Sequence, residues 1–337
     1  MNLTMNNSKL SRIRKLIIPI TVAIFLLAIV VVLYIRNPNQ TQAVLASMIR
    51  HSTPLVLGAL CGILCERSGI VNIGMEGQML LSAFFGYLAN VWTGNLLLAV
   101  LVGMLTGALT GLLLAFTSVT LKLDQIIGGT VINILALGLT GYYYQTGLMT
   151  EGKLTPVALG ALAEIPLIGP VLFNNPPITY IAILLVFVLQ VVFFYTPWGL
   201  RTRAVGEHPR AADTVGINVF RTRYINVIIG GAIAGLAGAF LTLEAVGSFE
   251  RGMTNGRGFI ALAVMIFGKW NPIGAWGAAL LFGLANAVQT QFQFMGTFNI
   301  PHQFIGMLPY LLTIIVVSGF VGRSRPPAAE GEPYEKE

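Results

Sequence analysis

Hydrophobic residues in this chain gather into long blocks divided by short polar breaks. A soluble helix would instead space them three to four residues apart along one face. About ten apolar segments can be marked, judged against the roughly 20 residues needed to cross a bilayer. They cover approximately 16–35, 43–65, 78–93, 96–119, 126–144, 177–195, 224–246, 258–268, 273–291 and 305–321. The pattern predicts an all-α integral membrane protein with about ten transmembrane helices. The first block, 16–35, ends in Tyr34-Ile35-Arg36-Asn37-Pro38 without a small-residue cleavage site. It therefore reads as a retained first span and not as a secretory signal. Arg50-His51 weakens the second block, because an Arg at the bilayer centre costs about 2.5–3.5 kcal/mol on insertion scales. Residues 43–51 are left between crossing the membrane and lying along its outer interface.

The polar breaks divide the chain into a first repeat (43–144), an outer loop (145–176), a connecting span (177–195), a cytoplasmic coupling loop (196–223), a second repeat (224–321) and a disordered tail (322–337). The outer loop holds Pro156, Pro166, Pro170 and Pro176 and is expected to carry little regular structure. The two repeats share a pattern. A glycine-rich break, Ser68–Gly77 or Gly247–Gly258, precedes an apolar run, and Asn90 and Asn271 close the runs. The breaks fall on opposite sides of the membrane, as in inverted repeats whose broken helices meet near the midplane around a solute.

Composition agrees with a lipid solvent. Of 337 residues, 55% are hydrophobic and only 10% charged, against about 25% charged in soluble domains. The net charge of +7 does not point to nucleic acid, because the basic residues lie between apolar runs and not on one soluble face. With both termini cytoplasmic, 15 Lys and Arg fall inside and 5 outside, which obeys the positive-inside rule. Cys61 and Cys65, one turn apart in an apolar run, read as packing residues, and no metal site is expected.

Three groups of residues are candidates for function. The stretch Glu66–Gly77 carries three glycines and Asn72 and is expected to be non-helical. The helix that restarts near Glu76 leaves unpaired N–H groups that a polar solute would find. Polar residues inside spans, Asn72, Glu76, Gln78, Asn133, Asn286 and Gln289, form the candidate substrate pathway, since burying them against lipid is costly. The alternative fate of such residues is bonding between neighbouring helices. The third group is the inner loop Glu207-His208-Pro209-Arg210-Ala211-Ala212-Asp213, ending at Gly216. Pro209 at a first helical position and Gly216 at the end delimit about two turns of helix. So short a helix is unstable alone and is expected to dock on a soluble partner. The chain has no phosphate-binding loop, no catalytic cluster and no ladder of intramembrane acids, so neither cofactor nor enzymatic activity is expected.

Ser68-Gly69-Ile70-Val71-Asn72-Ile73-Gly74-Met75-Glu76-Gly77 resembles the signature of bacterial ABC permeases for ribose-type sugars, branched-chain amino acids and nucleosides. Asp124–Asn133, Gly206–Asp213 and Gly256–Ala263 look like the nucleoside (purine) branch. The resemblance implies two membrane subunits, expected as a heterodimer, over two ABC ATPase subunits in the bacterial plasma (inner) membrane. An extracytoplasmic binding protein or lipoprotein would feed them. Glu207–Gly216 would then be the helix that couples to the ATPase. Transport of simple sugars or branched-chain amino acids remains an alternative. So does an ion-coupled carrier using Glu76 and Glu244.

Overall fold

The computed structural model describes residues 28, 30–295, 306–307, 311 and 324–336. Helix α1 (Pro38–Glu66) opens with Pro38 at its first position, where the missing N–H costs nothing. It runs 29 residues without interruption, so residues 43–51 belong to one continuous helix and do not form a separate interfacial segment. Every residue from Ser52 to Glu66 is buried. Four further elements complete the first half: α2 (Met75–Thr93), α3 (Leu96–Ala115), a π turn (Phe116–Thr120) and α4 (Gln125–Tyr143).

The outer loop is more regular than its prolines suggest. Strands β1 (Val157–Ala158) and β2 (Asn174–Asn175) pair antiparallel, with α5 (Ile168–Leu172) between them. Tyr180 staples the pair: its hydroxyl accepts from the Asn175 N–H at 2.9 Å and donates to the Val157 carbonyl at 2.9 Å. Next come α6 (Pro177–Tyr195), α7 (Pro197–Glu207), α8 (Pro209–Thr214) and α9 (Val219–Ala239). A π turn (Phe240–Val246), α10 (Arg257–Phe267) and α11 (Pro272–Met295) follow.

Six helical stretches among the described residues are long and apolar enough to cross a membrane. The expected count of about ten is therefore not reached. Most of 16–35 and 305–321 lies outside the described residues. Two more of the ten, at 78–93 and 258–268, are the helices α2 and α10 that start at the breaks. One carries Glu76, Gln78 and Asn90, and the other is only 11 residues long. Asn90 sits four residues before the left-handed Gly94 and passes it a carbonyl, whereas Asn271 caps α11 by accepting from the Gly274 N–H. The two asparagines do not occupy equivalent places.

The core consists of α1, α2 and α9, and α3, α4 and α6 surround it. Leu97, Leu101, Leu105 and Leu109 form an exposed ridge on α3, a surface suited to lipid or to another apolar helix. The other face of α3 presents Gly103, Gly107 and Gly111 to Val227, Gly231 and Gly235 of α9. A Cβ on Gly107 would lie 2.2 Å from the Gly231 carbonyl oxygen. Backbones can approach this closely only through small residues, the common device of membrane helix pairs.

The tail also differs from expectation. Residues 324–336 form no helix, but they lie packed on one end of the bundle with Ala329 and Tyr334 buried. Backbone hydrogen bonds, which composition does not report, hold them there.

Candidate functional site

The break after α1 is closed by its own polar groups. Ser68 donates through its hydroxyl to the Cys65 carbonyl at 2.7 Å, and the Ile70 N–H donates to the same carbonyl at 3.0 Å. Gly69 adopts φ +90, and a Cβ there would meet the Arg223 guanidinium at 2.8 Å. The Asn72 amide donates to Gln78 Oε1 at 3.1 Å and lies 3.4 Å from the Cys61 sulfur. Asn133, on α4, clamps the restart of the helix. Its Oδ1 accepts from the Gly77 N–H at 2.7 Å and its Nδ2 donates to the Ile73 carbonyl at 3.0 Å. Asn72 and Gln78 are fully buried, and Asn133 is 8% exposed. Of the six expected pathway residues, Asn133 thus holds backbone, Asn72 and Gln78 bond each other, and none of the three lines the two cavities described below.

The second break is built differently. The π turn after α9 ends at Gly247 (φ +89), and the chain reaches α10 through turns closed by Gly256 (φ +78). Glu76 joins the two breaks. Its Oε1 accepts from the Gly256 N–H at 2.8 Å and its Oε2 from the Gly258 N–H at 2.6 Å. A carboxylate at this position satisfies orphan donors and faces the positive end of the helix dipole. The fit is tight, because a Cβ on Gly258 would lie 2.6 Å from the Glu76 Cα. Helix α10 has 11 residues, about 16 Å at 1.5 Å per residue. At its far end Trp270 donates to Glu66 at 2.6 Å and Arg67 donates to the Trp270 carbonyl at 3.1 Å. The meeting point of α2 and α10 therefore lies about 16 Å from that end, half of a hydrocarbon core about 30 Å thick.

Beside this junction two cavities adjoin, sharing His51 and Arg257. The inner one, about 180 Å³, is lined by His51, Asn255, Arg257, Asn286 and Gln289. The outer one, about 360 Å³, adds Arg50, Lys153, Phe240 and Glu244. Asn286 spends one amide donor on the Phe282 carbonyl one turn back, at 2.9 Å. Glu244 accepts from the Ile178 N–H at 2.8 Å and from the Thr179 hydroxyl at 2.5 Å, capping α6. Asn286 and Gln289 thus line a space together; Glu76 is not among its lining residues but bonds the backbone on either side of Arg257, which is. Sequence reasoning missed Arg257, His51 and Asn255. The available signal was an Arg inside a glycine-rich break between two apolar runs.

At the end of the bundle that holds Arg67 and Lys269, Thr196 caps α7 by accepting from the Gly199 N–H at 3.3 Å. His208 leaves the helical region (φ −144), Pro209 opens α8, and Gly216 (φ +84) stops it. Helix α8 is six residues long, a little under two turns at about 3.6 residues per turn. Ala212 points inward while Glu207, His208, Arg210 and Ala211 are exposed.

A family model described as "Branched-chain amino acid transport system / permease component" matches residues 44–317. The chain is similar to the guanosine ABC transporter permease protein NupQ of Bacillus subtilis, 41% identical over 85% of this chain and 94% of the relative. It is also similar to the nucleoside ABC transporter permease protein NupC of Lactococcus lactis, 39% identical over 88% and 98%. A putative glucose ABC transporter permease protein, TsgC13 of Haloferax volcanii, is 34% identical over 83% and 92%. A second permease of each of the two bacteria is more distant, at 28% and 24% identity. No solved structure matches the chain.

Proposed function

Since this chain belongs to the family of branched-chain amino acid transport system permease components, we propose that it is the subunit through which an ATP-driven importer carries nucleosides. It is a transport component and not an enzyme. The observation that carries the solute class is the likeness to two nucleoside permeases over most of both chains. The space between the α10 start and α11 supports it. Arg257, His51, Asn255, Asn286 and Gln289 offer hydrogen-bonding groups to a polar, uncharged base and sugar.

In this reading the two halves are inverted repeats. In each, a long helix, a break, a restarted helix and an Asn-capped helix follow in order: α1, α2 and α3, then α9, α10 and α11. Both termini lie in the cytoplasm and α8 presents Arg210 to the ATPase. A second, related permease completes the pathway, and an extracytoplasmic binding protein or lipoprotein delivers the solute. A carrier driven by ions through Glu76 and Glu244 is disfavoured, because both carboxylates are committed to capping helices.

Reversing charge with Arg210→Glu tests the coupling role. The variant should insert normally yet lose its co-purifying ATPase and its uptake in proteoliposomes. Normal uptake by the variant removes α8 from the coupling role. Competition of uptake by guanosine, glucose and leucine separates the solute classes. Inhibition by glucose or leucine and not by guanosine overturns the nucleoside assignment.

A further inference from the structure

The segment 324–336 makes contacts that the transport reading does not use. The Ala329 N–H donates to the Gly206 carbonyl at 2.9 Å, and the Ala328 N–H donates to the Glu207 carboxylate at 3.2 Å. Two residues on, the Gly331 N–H donates to the Gly69 carbonyl at 3.2 Å. The Glu332 carbonyl then accepts from Arg223 Nη1 at 2.9 Å, while Nε of the same guanidinium donates to the Ser68 carbonyl at 3.2 Å. Tyr334, 6% exposed, packs with Val205, Ala212 and Val219, and its ring centre lies 5.4 Å from that of Phe220. Lys336 reaches Asp213 of α8 at 3.4 Å, and Glu335 reaches Lys122 at 2.7 Å.

The backbone–backbone hydrogen bonds fall on two regions, the end of α7 and the start of the inner break at Gly69. Helix α8, the start of α9 and Lys122 supply side-chain anchors. The regions also touch directly, since a Cβ on Gly206 would lie 2.3 Å from the Arg67 carbonyl oxygen. A backbone-bonded strap across both limits their movement relative to each other. Between the strap and α8 an open groove of about 710 Å³ remains, lined by Glu207, Pro209, Arg210, Glu332 and Tyr334.

We propose that residues 326–336 are a clasp that makes α8 and the inner break move as one body, so that displacement of α8 by the ATPase reaches the pathway. This rests on the reading of α8 as the coupling helix. The acid-rich composition of the segment serves the role. The exposed carboxylates of Glu332 and Glu335 keep the outer edge in water, while Ala329 and Tyr334 bury the inner edge and Glu330 turns in against Glu66.

The test compares the full importer, with its ATPase, second permease and binding protein, carrying either the intact chain or one ending at Arg325. The truncated importer should retain its ATPase and hydrolyse ATP. Nucleoside carried per ATP should fall about tenfold, within the range of couplings between distinct sites. Unchanged transport per ATP overturns the clasp, and so does loss of the ATPase, which would make the segment a docking surface. If the truncated chain fails to assemble, Tyr334→Ala in the full-length chain carries the same test with the same two outcomes. Retention of the ATPase by Arg210→Glu would instead defeat the coupling reading itself, so the two failures are distinguishable.

Discussion

The two breaks look alike in sequence and are held by different partners. The first, between α1 and α2, is closed by two side chains of α4 that bond its backbone and by a side-chain pair of its own. Asn72 bonds Gln78, Asn133 bonds Gly77 and Ile73, and Gln125 accepts from the Val71 N–H at 2.7 Å. The second, between α9 and α10, is tied by Glu76 at the start of α10 and by the outer loop, where the Thr150 N–H donates to the Gly247 carbonyl and Tyr144 donates to Glu250. This second break turns Asn255 and Arg257 toward a cavity. The break with the more recognisable signature is thus closed on protein partners, and the plainer one borders the cavity proposed for the solute. A polar residue in a membrane helix has to bond something, and sequence alone does not say whether that partner is backbone or cargo.

The largest effect should come from the first break. Asn133→Ala leaves the buried Gly77 N–H unpaired, at about 1–3 kcal/mol, and frees the half-buried Ile73 carbonyl. Folded protein recovered in detergent should fall sharply and its melting temperature should drop. Near-normal melting would show that the clamp is dispensable. The link between the breaks comes next. Glu76→Gln removes the charge at the start of α10 and one of two acceptors, a cost of about 1–3 kcal/mol. It should lower both melting temperature and uptake, and a change in neither would mean the two breaks are held independently. The smallest effect on stability belongs to the second break. Gly256→Ala forces a side chain into the left-handed region, about 1–2 kcal/mol. Melting should move little while nucleoside uptake falls more, and the reverse order would erase the contrast between the breaks.

Much of the fold was legible from local chemistry. Apolar blocks located α1, α3, α4, α6, α9 and α11, because span length is a property of contiguous residues. Pro209 and Gly216 bounded α8 because each acts on its own backbone. The site was legible only in part. Asn286 and Gln289, chosen as polar residues inside a span and sharing a helix face, both line the cavity. Asn72 and Gln78 were not separable from them, since their partners are fixed by the path of the chain through the break. Asn133 reaches residues 56 and 60 positions away. Arg257 escaped because an isolated basic residue between apolar runs reads first as a topology signal. The tail was misjudged for a related reason: its anchors are carbonyls of Gly69 and Gly206, which carry no compositional mark.

Cysteine labelling tests the contrast most directly. Both native thiols, Cys61 and Cys65, are buried, so the unmodified chain should be inert to a membrane-impermeant thiol reagent. Single substitutions Gln289→Cys, Asn286→Cys and Asn72→Cys would then be labelled in the assembled importer, with and without guanosine. Cysteines at 286 and 289 should react and be protected by the nucleoside, while one at 72 stays silent. Labelling and protection at 72 with silence at 286 and 289 would place the pathway along the first break and contradict this account.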